Sequence, residues 1–181
     1  MFIKLLNFIN KITKYSICFF ILFFIRILRP LILIKFDSSH SSRIGHFSGI
    51  NSLYISEKIN IKAKKQIEFF IHESFICNSH METLLKRKIF FLPNYFYPIL
   101  IINNWIRGGN KHLIHYRSNY INKRIVFEHR DIKNLNDTTS APVQFSNEEI
   151  NLAKNEIKKI GINENDKIII LNIRDQNYLK I

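Results

Sequence analysis

Leu31-Ile32-Leu33-Ile34-Lys35-Phe36 is the stretch on which the fold turns. It is short, branched and apolar at successive positions, so neither face of a strand made from it is fit for water. That is the mark of a strand buried on both sides, as in a sheet with helices on each face. Pro30 precedes it and the polar loop Asp37 to Ser42 follows it. Beyond the loop, Arg43-Ile44-Gly45-His46-Phe47 and the pattern through Leu53, Tyr54 and Ile55 read as a helix, which completes a strand–loop–helix unit.

The unit repeats further along the chain. Ile67 to Ile71 is a second strand, followed by a helix near Ser79 to Lys86, a third strand at Ile89 to Leu92 and a helix around Pro98 to Ile106. Strands and helices that alternate at these lengths imply a mostly parallel sheet, because a parallel return needs a crossover. The expected class is therefore α/β with a Rossmann-like parallel sheet. Gly108 to Ala141 is polar and weakly periodic, and Asn134 to Pro142 reads as an interdomain connection.

Ser146 and Glu149 form a capping box at the start of the next helix, and Gly161 ends it. Asn163 to Asp166 then turns the chain into Lys167 to Ile173, a second strongly apolar strand. A buried parallel strand needs neighbours on both sides and a covering helix, so this one either opens another domain, which is the expectation, or joins the first sheet. The expected division is 1–29, a membrane-associated helical segment; 30–142, an N-terminal α/β domain; and 143–181, the truncated start of a C-terminal α/β domain.

Ahead of the first strand, Phe2, Leu5, Leu6, Ile9 and Ile12 recur at helical spacing with Lys4, Asn7, Asn10, Lys11 and Lys14 between them. This is a basic amphipathic helix of the kind that lies among lipid headgroups. Ile17 to Ile25 is apolar without a break, but Arg26, Arg29 and Pro30 leave it short of the roughly 20 residues of a membrane span. A monotopic or re-entrant anchor at the anionic cytoplasmic leaflet fits best and a single span comes next. A signal peptide ranks behind both, since no small-x-small site follows. A buried helix of a soluble protein is the remaining reading.

A hydrophobic fraction of 46% with 23% charged residues argues for a packed core and against disorder over most of the length. The 27 Lys and Arg outnumber 14 Asp and Glu, giving a net charge of +13 that would suit nucleic acid, anionic lipid or phosphorylated substrates. The chain is also rich in Ile, Asn, Lys and Phe, the residues of AT-rich codons, so base composition accounts for the surplus as readily as a partner does. Cys18 and Cys77 alone supply no disulfide framework, and a reducing compartment fits.

Ligands of open parallel sheets bind beyond the carboxyl ends of the strands. Ser42-Arg43-Ile44-Gly45-His46 occupies that position after the first strand: Arg43 offers a bidentate donor, Gly45 a close backbone approach, and the helix start favours anions. Asn172-Ile173-Arg174-Asp175 occupies it after the last strand and places Arg174 where a diphosphate could lie. Against both stands the plain alternative of solvated loop residues. Cys77 with His80, or His112 with His115, together with His40 and His46, could pair on a metal, but nothing completes a recognisable ligand set.

Five blocks, Arg29-Pro30-Leu31, Ser42 to Phe47, Ile76-Cys77-Asn78, Gly108 to His112 and Ile173 to Leu179, resemble in order and spacing a poorly characterised bacterial family described as glycosyltransferases. The resemblance covers the N-terminal half of a typical member, from Arg29 onward. The last block also resembles the His-x-Arg motif of fucosyltransferase-like enzymes of the GT-B fold, with Arg174 in the Arg position and Asn172 where the His usually stands.

The resemblance implies a GT-B sheet and transfer of a sugar from a nucleotide donor to a cell-surface glycan or lipid-linked acceptor. Arg174, Arg43 and Gly45 would serve the donor phosphates, and Asn172, Asp175 and Asn78 would line the cleft. His46 would be the candidate base, and neither a metal nor another cofactor is expected. The isolated chain would be inactive, most of the donor-binding domain lying beyond Ile181. The competing reading is a non-enzymatic basic protein binding membrane surface or nucleic acid, although Lys and Arg are spread along the chain rather than gathered in a nucleic-acid motif, so no specific nucleic-acid partner is expected.

Overall fold

A computed structural model describes residues 2–59, 65–73, 75–114, 118–121, 124–127, 131, 134–163 and 166–167. The chain divides into two compact units, Met1–Gln144 and Phe145–Ile181.

The first unit is α/β. Its elements are α1 (Phe2–Leu28), β1 (Leu33–Ser38), α2 (Ile44–Ile59), β2 (Gln66–Ile71), α3 (Ser79–Lys86), β3 (Phe90–Leu92), α4 (Pro98–Trp105), the hairpin β4 (Ser118–Ile121) and β5 (Arg124–Phe127), and the single turn α5 (Leu135–Thr138). Strands β1, β2 and β3 form a parallel sheet in that order, with Phe36 opposite Phe69 and Phe69 opposite Phe90. The first strand starts two residues later than its apolar run. Leu31 and Ile32 belong to the turn that ends α1, both donating to the Leu28 carbonyl, and Leu31 is exposed. On the far edge of β1, Ile114 donates its N–H to the Phe36 carbonyl, so the chain after α4 returns beside the first strand.

The sheet is covered on both faces, as its uninterrupted apolar strands require. Alternate residues of β2 point to opposite layers. Ile71, with Phe36, packs against Cys18, Leu22 and Ile25 of α1 and Ile99 and Ile102 of α4. Phe70 packs the other way, against Phe47, Tyr54 and Ile55 of α2 and Leu85 of α3. On that second side Glu68 is buried, and it is satisfied by Tyr54, by Gln66 at 2.9 Å and by Lys58 at 2.6 Å.

The N-terminal segment is one continuous helix, about 40 Å long at 1.5 Å per residue. Ile3–Leu28 is long and apolar enough to cross a membrane. Its two sides nevertheless differ. Cys18, Leu22 and Ile25, at helical spacing, are core residues, and burying Leu22 contributes about 2 kcal/mol. Leu5, Leu6, Ile9, Ile12, Phe20, Phe23, Phe24 and Ile27 lie on the opposite side and are exposed.

Arg26, which breaks the apolar run, is explained by the turn after α4. Its guanidinium donates to Asn103 Oδ1 at 3.0 Å and to the Arg107 carbonyl at 3.3 Å. Asn103 in turn donates to the Gly109 carbonyl at 2.7 Å. Gly109 has to be glycine, since a Cβ there would fall 1.7 Å from the Asn103 carbonyl oxygen, and Gly108 takes the left-handed φ of 78° that turns the chain. The Gly108–His112 block is thus a clasp: His112, buried, donates through Nδ1 to the Ile34 carbonyl at 2.8 Å. Burial keeps its imidazole below the ordinary value, with Arg26 and Arg29 acting the same way.

In the second unit, α6 (Asn147–Lys159) begins with both halves of the expected capping box. Glu149 N–H donates to Ser146 Oγ at 3.2 Å and the Glu149 carboxylate accepts from Ser146 N–H at 2.7 Å. Gly161, with φ of 85°, ends the helix. The expected strand of Lys167 to Ile173 lies outside the described residues beyond Lys167.

Candidate functional site

The carboxyl ends of β1 and β2 are in register, Ser38 opposite Ile71, so the loops that leave them meet. Between them lies a cleft of about 200 Å3 lined by His40, Ser42, Arg43, His46 and Glu73. The expected loop after the first strand does supply the site, but its centre is a carboxylate from the second strand's loop, Glu73.

Glu73 gathers three donors. His40 Nδ1 lies 3.0 Å from Oε1, Ser38 Oγ donates to the same oxygen at 2.6 Å, and Ser42 Oγ donates to Oε2 at 3.4 Å. A neutral His40 with its proton on Nδ1, held by the carboxylate, presents its lone pair on Nε2. The His40 backbone sits at φ 52°, a left-handed conformation uncommon for residues with a Cβ and one that clusters at functional sites.

What holds this conformation is the pair of buried serines on either side. Ser39 N–H donates to the Ile71 carbonyl at 2.9 Å, and its own carbonyl accepts from the Asn51 side chain at 3.0 Å. Ser41 Oγ donates to the Phe75 carbonyl at 3.0 Å while the Ser41 carbonyl accepts from Cys77 N–H at 2.9 Å. Both serines are fully buried, and the side chain between them is turned out to the cleft. The loop is therefore preorganised around His40 rather than merely exposed.

Behind it runs a second relay: Ser39 Oγ to His72 Nδ1 at 3.0 Å, His72 Nε2 to Glu82 at 3.1 Å, and Glu82 to Lys86 at 2.7 Å. Burial keeps the His72 imidazole below its ordinary value despite the Glu82 contact, so the ring is neutral, donating from Nε2 and accepting from Ser39. Burial alone would raise the Glu82 carboxyl, but Lys86 and His72 bring it below its usual range. The connectivity is that of a Ser–His–acid relay. With Ser39 shut away from solvent, its role is to tie the β1 loop to β2 and α3.

The remaining expected residues fall as follows. Arg43 and His46 line the cleft, with the His46 ring 6.4 Å from that of His40. Gly45 is in the first turn of α2 with open space around it, so nothing there demands close backbone approach. Asn78 caps α3, accepting from Met81 N–H at 2.8 Å, and so serves the fold. Asn172, Arg174 and Asp175 lie outside the described residues.

Among the described residues, no three His, Cys, Asp or Glu converge as a metal set. Sequence reasoning missed the roles of His40 and Glu73, and the available signal was their place just past the ends of adjacent parallel strands. Compared with known proteins, the chain matches no family model, no curated sequence and no solved structure.

Proposed function

We propose that this chain is the acceptor-side part of a membrane-associated glycosyltransferase of GT-B type, moving a sugar from a nucleotide donor to a surface glycan or lipid-linked hydroxyl at the cytoplasmic face of the membrane. The observation that carries the reading is the His40–Glu73 pair, an imidazole and carboxylate held in a cleft at the carboxyl edge of a parallel sheet.

In this reading His40 Nε2 takes the proton of the acceptor hydroxyl as that oxygen bonds to the anomeric carbon, and Glu73 stabilises the imidazolium that forms. The bond from the anomeric carbon to the nucleotide diphosphate breaks, and the diphosphate leaves with the electron pair. Its charge falls to Arg43, which lines the cleft. Helix α1 lies in the membrane interface rather than across it. A helix whose Cys18–Ile25 side is docked on α4 and the sheet cannot be sheathed by lipid all round, whereas its Phe20, Phe23 and Phe24 side is bare.

The test is transfer from radiolabelled nucleotide sugars to lipid and glycan extracts by protein made from its whole reading frame. His40→Ala and Glu73→Gln are expected to lower turnover about 100-fold or more while leaving donor affinity within about threefold. Turnover that survives both changes removes the pair from the chemistry. No transfer from any nucleotide sugar by the unaltered protein removes the glycosyltransferase reading.

A further inference from the structure

Toward its N-terminus the inner side of α1 changes character. The side that carries Cys18, Leu22 and Ile25 continues as Lys14, Lys11 and Asn7, one helical turn after another, and there it faces the turn after β3 across a groove of about 380 Å3. Asn10, Asn94 and Tyr97 also line the groove, and among the described residues no carboxylate does. Lys14 is fixed at its rim, donating to Asn94 Oδ1 at 3.4 Å and lying 5.7 Å from the centre of the Tyr95 ring. Helix α1 contains no acidic residue.

We infer that this groove between the Lys11–Lys14 side of α1 and Asn94–Tyr97 binds the anionic phosphate headgroup of a lipid of the leaflet in which the exposed, opposite side of the same helix is immersed. The assignment rests on the interfacial placement of α1 proposed above. Two ammonium groups and the carboxamides of Asn7 and Asn10 make a site for a phosphate, Asn94 holds Lys14 in place while donating to the His72 carbonyl at 3.3 Å, and the apolar side of α1 supplies the phase from which a lipid reaches it. Tyr97 adds a neutral donor: burial, with the nearby Glu73 charge, raises its hydroxyl above the ordinary value and keeps it protonated.

The test is flotation of the detergent-purified protein with vesicles of phosphatidylcholine alone and with phosphatidylglycerol added, read as the gain in binding that the anionic lipid confers. A merely electrostatic surface is worth about fivefold per lysine wherever the charge sits, so Lys11→Gln with Lys14→Gln and Lys4→Gln with Arg29→Gln would each lose about 30-fold. A groove site predicts that the first pair loses at least about tenfold more than the second, and that Asn94→Ala, which removes no charge, loses about fivefold. Equal losses in the two pairs with Asn94→Ala unaffected overturn the site while the membrane placement stands. Binding of free glycerol 3-phosphate more tightly than of the anionic vesicles also overturns it, putting a soluble phosphate in the groove. Failure to float with any vesicle overturns the placement as well.

Discussion

Substituting Gly109 by Ala tests the clasp that holds α1 to the domain. The added methyl would fall 1.7 Å from the Asn103 carbonyl oxygen and 2.8 Å from its carbon, both backbone atoms that no rotamer change can clear. Restoring an ordinary contact takes more than about 1 Å of backbone movement in a packed turn, which costs roughly 1–3 kcal/mol. The same movement strains the 2.7 Å bond from Asn103 to the Gly109 carbonyl and, through Asn103, the 3.0 Å bond from Arg26. At about 1 kcal/mol for each bond, the total comes to roughly 3–5 kcal/mol.

Gly108→Ala is the internal control. Its φ of 78° is strained for alanine but the space around it is open, so about 1–2 kcal/mol is expected. Urea unfolding of both variants in mild detergent, followed by far-ultraviolet circular dichroism, compares them directly. If Gly109→Ala costs no more than Gly108→Ala, the close approach of the two backbones is wrong, and with it the account of why Arg26 interrupts an apolar helix.

Two further outcomes follow from the described groups. His72 and His112 are both held below the ordinary 6.5, so the unfolded chain takes up protons first as pH falls; stability should be whole above about pH 6.5 and decline below it toward the native values, and urea midpoints at about pH 7.5 and pH 5.5 should converge when both are changed to Gln. Ser146→Ala removes one half of the capping box of α6 and should destabilise that helix by about 1 kcal/mol, seen as faster amide exchange over its first turn, whereas unchanged exchange would mean the cap contributes nothing.

The order of strands and helices was legible because each strand of the parallel sheet is a compact apolar run and α3, α4 and α6 open at a cap or a proline, Asn78, Pro98 and Ser146. Ser79–Lys86 has the bounds its sequence suggests, and the Ser146 box announces itself by spacing alone. The docked side of α1 was not legible, because Cys18, Leu22 and Ile25 are hidden in a run that is apolar all round, and periodicity has nothing to distinguish them by. The β4–β5 hairpin was missed because its strands are only four residues each, Ser118-Asn119-Tyr120-Ile121 and Arg124-Ile125-Val126-Phe127, too short to show a period of two.

The site fell between these cases. A ligand-binding loop after β1 could be expected from the rule for parallel sheets, and Arg43 and His46 do line the cleft. Its focus could not, since His40 and Glu73 are separated by 33 residues and meet only because β1 and β2 run side by side in register. His40 lay in a stretch that reads as an ordinary polar loop, and nothing local signals that buried serines on both sides will turn it outward.

The contacts of Arg26 reach 77 and 81 residues ahead in the chain. During synthesis at about 5–20 residues per second, α1 therefore waits roughly 4–16 seconds before the turn after α4 exists to receive it. Through that interval Cys18, Leu22 and Ile25 are as bare as Phe20 and Phe24, and the Ile17 to Ile25 stretch of the nascent helix is apolar on every side. The order of translation thus sets a contest between insertion and docking, and the Arg26 contacts are what the finished fold uses to draw the helix back to its own domain.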